Sequence, residues 1–121
     1  MRVHIGDLLS VITGIMLAPG GFGDVHRLLD HLTGDTLFTH QLPRAFDFVK
    51  PIMAERYPAL AAIDVPKDVG ARFKEWLAST VATHGEFFDV DPIAGNQWER
   101  RDPISEAQAM FGDRMLVVNA P

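Results

Sequence analysis

Val25, Leu28, Leu29 and Leu32 recur at i, i+3, i+4 and i+7, the stripe of a helix that buries one face. Asp24 stands where an N-cap is wanted, and Gly34 follows as a C-cap. Upstream, Leu8 to Ala18 is almost wholly apolar and follows Arg2 and His4, which gives it the look of a short signal segment. Asp7 at its mouth, Ser10 and Thr13 within it and Gly14 argue against that, and the run is too short to span a bilayer. It reads as a buried core helix carrying Leu8, Leu9, Val11 and Ile12, N-capped by Asp7 and ended at Gly14, with Pro19-Gly20-Gly21 as the following loop.

A third helix carries Phe46, Val49, Met53 and Tyr57 on one side. Pro43 is tolerated in its first turn, Pro51 predicts a kink or a split near Lys50, and Pro58 ends it. Pro66 and Asp68 open a fourth, with Phe73, Trp76, Leu77, Thr80, Val81 and His84 sharing a face and Gly85 as its stop. Glu86 to Val90 alternates as a strand does. Residues 91–101 read as loop. Asp102-Pro103 with Glu106 is an N-cap, an N1 proline and a first-turn acid, which predicts a short helix to about Phe111. Gly112-Asp113 is a turn, and Met115 to Val118 a buried strand. Two strands separated by a helix need parallel pairing or a third strand between them, and Arg2 to Ile5 supplies one. The fold class is α+β: four to five short helices packed on a small two- or three-stranded sheet, strand–helix–strand at the C-terminus, in a single domain over residues 1–121.

Composition narrows the function more than the fold. The 121 residues are 47% hydrophobic and 22% charged, which suits a globular core. With no cysteine there is no disulfide framework, zinc ribbon or thiol nucleophile, and a reducing compartment fits. Eleven basic against sixteen acidic residues give a net charge of −5, dispersed along the chain. Non-specific nucleic-acid binding needs clustered cations and is not expected.

Polar groups with specific capabilities are densest between Thr33 and Arg44. Thr33, Thr36 and Thr39 bring hydroxyls, His40 an imidazole, Gln41 an amide and Arg44 a planar double donor, while Leu37, Phe38 and Leu42 anchor the segment. At a helix N-terminus such a set suits an anionic ligand. The plainer reading has Thr39 as an N-cap, His40 and Arg44 solvated and Asp35 in a local ion pair. His26 with Asp30, and Arg27 with His31, are i, i+4 pairs off the apolar stripe. They extend the same surface, or form a charged outer face.

Other motifs carry less. No zinc spacing is present, and His26 and His31 do not share a face as metal ligands do, so no metal or other cofactor is expected. Gly20-Gly21-Phe22-Gly23 lacks the lysine of a phosphate loop, and Asp24 would repel a phosphate; it reads as a turn. Trp98 beside Arg100 and Arg101 can stack a base or a partner side chain, or fold onto the core while the arginines pair with acids such as Asp89 or Asp91. No nucleophile elbow, metalloprotease helix or activated thiol is present, so a small enzyme is the weaker alternative.

The runs Gly6-Asp7-Leu8-Leu9-Ser10-Val11-Ile12-Thr13-Gly14, Leu32-Thr33-Gly34-Asp35-Thr36-Leu37-Phe38-Thr39-His40-Gln41-Leu42-Pro43-Arg44 and Trp98-Glu99-Arg100-Arg101-Asp102-Pro103-Ile104 resemble a family of small uncharacterised phage and prophage accessory proteins. In that family the position of Thr36 is often Asn. The resemblance implies the cytoplasm of a bacterial host and an anti-defence role, with no catalytic residue to carry over. Two mechanisms follow from that context. One is a sponge, a homo-oligomer that sequesters a nucleotide-derived immune signal in a polar pocket such as the Thr33–Arg44 segment. The other is direct inhibition of a host defence protein, such as one of a CRISPR system.

Overall fold

A computed structural model describes residues 1–95 and 97–111. The elements run β1 (Arg2–His4), α1 (Ile5–Thr13), α2 (Phe22–Thr33), a 3₁₀ turn (Thr39–Gln41), α3 (Leu42–Arg56), α4 (Pro58–Ala61), a second 3₁₀ turn (Val69–Arg72), α5 (Phe73–His84), β2 (Phe87–Asp89) and α6 (Pro103–Phe111). The class is α+β, with a larger share of helix than the sequence predicts. β1 and β2 pair antiparallel, with Val3 opposite Phe88, so the N-terminal strand is the partner that β2 needed. The predicted strand Met115 to Val118 and the turn before it lie outside the described residues. No described helix is long and apolar enough to cross a membrane.

The core is built by α1, α2 and α3. Ile5, Leu8, Leu9 and Val11 of α1, Val25, Leu28, Leu29 and Leu32 of α2, and Ala45, Val49 and Met53 of α3 are fully enclosed. The apolar run after Arg2 is therefore a core helix. Its polar interruptions have structural work: buried Ser10 donates to the Gly6 carbonyl (2.8 Å) and accepts from the Leu17 amide (2.9 Å), tying the following loop back across the helix. That crossing explains Gly6, where a Cβ would stand 2.3 Å from the Leu17 carbonyl oxygen. Gly14 and Gly34 close their helices in the left-handed conformation.

Four local expectations need correction. Helix α1 begins before Asp7: the His4 ring accepts the Gly6 amide through Nδ1 (2.9 Å) and caps it. Asp7 lies inside the first turn, 8% exposed, its Oδ1 without a partner among the described residues. Burial pushes its carboxyl above the usual range, against the opposing pull of His4 and Arg27. Helix α3 runs unbroken through Pro51; Asp47, four residues earlier, shares its exposed side, so the carbonyl left without a donor faces water. Helix α5 starts at Phe73 instead of near Pro66, because the Asp68 carboxylate accepts from Arg72 (3.0 Å) and does not cap. Finally, α2 begins at Phe22 with Gly21 at the cap position, so Asp24 lies inside its first turn and does not cap it; α3 does end before Pro58, which in turn starts the short helix α4.

Candidate functional site

Helix α2 fixes the turn that follows it. Asp30 and His26, one turn apart, grip both polar groups of Leu37: the Leu37 amide donates to Asp30 Oδ1 (3.0 Å) and His26 Nε2 donates to the Leu37 carbonyl (2.9 Å). With Leu37 buried, the chain then tightens into the 3₁₀ turn. Thr39 is not the cap. The Gln41 side chain reaches back instead, its Oε1 accepting the Phe38 amide at 2.9 Å. The hydroxyls of Thr36 and Thr39 are exposed.

The remaining groups of this turn face residues 97–111. Arg44 donates to both oxygens of Glu106, from Nε and from an Nη, each at 2.8 Å, and its other Nη donates to the Glu99 carbonyl (2.8 Å). Gln41 Nε2 donates to Glu106 Oε1 (3.0 Å). Three charge-assisted donors therefore converge on a carboxylate only 5% exposed. The Arg44 bonds, helped by Gln41, hold it at about 2 although burial acts the other way. His40 Nε2 donates to the Pro103 carbonyl (2.7 Å).

Trp98 completes the dock. It is buried, its Nε1 donates to Asp35 (3.0 Å), Phe48 packs beside it, and the Arg44 guanidinium lies 4.0 Å from its ring centre. Arg100 donates to the Gly34 carbonyl, and Arg101 pairs with Glu99 (3.1 Å). These arginines pair neither with Asp89 nor with Asp91; the latter's carbonyl accepts from Arg56 (2.6 Å).

The structure thus brings together Gln41, Arg44, His40 and Trp98, and gathers Arg100 and Arg101 at their edge. It leaves Arg27 apart, paired with Asp24 on its own helix. His31 bonds the Val90 carbonyl (2.7 Å), and His26, His31 and His40 each hold a separate carbonyl. No group of three or more metal-ligating side chains gathers among the described residues. The residue that sequence reasoning missed is Glu106. In its local context it is a first-turn acid behind the Asp102 cap, which does form, with the Ser105 amide 3.0 Å from Asp102 Oδ2. Nothing in the spacing announces a partner 62 residues away.

No curated protein and no solved structure matches this chain. Residues 3–63, which supply β1, the three core helices, the clamped turn and α4, match the model of a domain of unknown function, DUF7736; this covers just over half of the chain, and the protein belongs to that family.

Proposed function

We propose that the chain is a non-enzymatic binding protein, and that in the phage accessory setting which the resemblance implies it acts by holding a host defence protein directly. The observation that favours direct binding over sequestration is the occupancy of the turn. Arg44 and Gln41, the donors a nucleotide-type anion would need, already hold Glu106. Beside them Phe38 and Ile104 are exposed, and Phe111 lies two turns from Ile104 on the same side of α6. Apolar side chains bordered by polar groups suit a protein partner.

Sequestration would have to reuse the same donors. Arg44 and Gln41 already bind a carboxylate, so a small anionic signal, in a monomer or in a homo-oligomer, would enter by displacing Glu106. A thermal-shift screen with cyclic nucleotides and ADP-ribose separates the two readings. A ligand present at about 100 times its Kd adds roughly 2.7 kcal/mol. Direct binding expects no shift from any of them, and capture from host lysate of one stoichiometric protein that the Phe38→Asp/Ile104→Asp variant loses. A shift that disappears in Arg44→Ala would establish sequestration instead.

A further inference from the structure

A second site lies at the other end of α3 from the clasp that Arg44 forms with Glu106. The end of α3, the start of α4, the last residue of α5 and strand β2 border an open groove of about 270 Å³, lined by Arg56, Tyr57, Pro58, Leu60, His84 and Phe88. Its walls are of two kinds. The Tyr57 and Phe88 rings meet edge to face with centres 5.9 Å apart and, with Leu60, form an apolar wall. Around it stand three side chains able to donate to an anion: Arg56, His84 and the Tyr57 hydroxyl. The Arg56 guanidinium is already oriented, because two of its nitrogens donate to the carbonyls of Asp91 (2.6 Å) and Pro92 (3.1 Å). Neither His84 nor the Tyr57 hydroxyl has a hydrogen-bond partner among the described residues.

Two stretches of chain meet here, the α3–α4 junction and the α5–β2 junction, and between them they bring apolar and donor side chains to one groove. Ligand pockets of this sort take an apolar body and fix it with a few polar groups. The volume accommodates a single ring with a short substituent and leaves space for water. Arg56 cannot accept a hydrogen bond, so the polar end it recognises is an acceptor, and its charge favours an anionic one.

We propose that this pocket binds a small aromatic carboxylate, with the ring against Tyr57, Phe88 and Leu60 and the carboxylate facing Arg56 and His84. Benzoate is the probe, with phenol and acetate as its two halves. Benzoate is expected to move the Ala59 and Leu60 methyl resonances saturably, with a Kd of about 1 mM. Phenol and acetate are each expected to bind at least about tenfold more weakly. Arg56→Met and His84→Ala, both at the rim, should weaken benzoate by about tenfold. Ala59→Trp, at an exposed position, should block the pocket while the methyl spectrum of α1–α3 stays in place. The proposal is overturned if these methyls show no saturable shift with benzoate, if phenol or acetate matches it, or if the Arg56 and His84 variants bind it as the parent does.

Discussion

The body formed by α1–α3 and the segment 97–111 are held in opposite ways. Across the body, aliphatic side chains from three helices interlock, and Asp7, Ser10 and Thr33 are the buried polar exceptions among the described residues of those helices. In the segment, α6 buries only Glu106 and Ala107, while Ile104, Met110 and Phe111 stay exposed. Trp98 is its one large buried side chain, and that residue too is fastened by a hydrogen bond and an overlying guanidinium. Apolar burial is additive and tolerant of direction; a clasp of charged hydrogen bonds is directional and fails when one partner is lost. The body is expected to unfold as a unit, and the segment to open separately at lower cost.

The largest effect should come from the body. Leu29→Ala removes a fully buried side chain and is expected to cost about 3 kcal/mol in urea unfolding, with every probe shifted together. A loss confined to the segment would break the contrast. Arg44→Ala should cost about 2 kcal/mol, read as solvent exposure of Trp98 with the helical signal of the body retained. Acid should act on the same contact. Glu106 is held at about 2 against 4.5 when unpaired, so its stabilising contribution is complete above about pH 4.5 and is lost as the pH falls toward 2. Trp98 should become exposed in that window before the body unfolds. The smallest effect sharpens the picture of the body. Because Asp7 is raised by burial, its charge opposes folding at neutral pH and ceases to do so in acid. Asp7→Asn should therefore stabilise the body by about 1 kcal/mol at pH 7 and by less at pH 3, in paired thermal melts.

The body was largely legible in the sequence because its signals are local. The α2 stripe is fully buried and Gly34 caps it as the pattern implies; the apolar run of α1 is core; Asp102 caps α6. The density of polar groups from Thr33 to Arg44 also marked a real junction. What occupies it was not legible, since Glu106 meets Arg44 only after the chain has folded back across 62 residues. The same limit explains Asp7 and His4. Either can cap a helix locally; His4 does so, next to the loop at Leu17–Pro19 that crosses close over Gly6, a contact between segments that the local pattern does not carry.

Hydrogen exchange on the Glu106→Ala variant, compared with the parent at pH 7, puts the clasp to the test. Amides of α6 and of residues 97–102 should lose protection by about thirtyfold, matching roughly 2 kcal/mol, while those of α1, α2 and α3 keep theirs. Equal loss across the three core helices, or unchanged protection in α6, would contradict the assignment of the Thr33–Arg44 turn as a dock for the chain's own C-terminal segment.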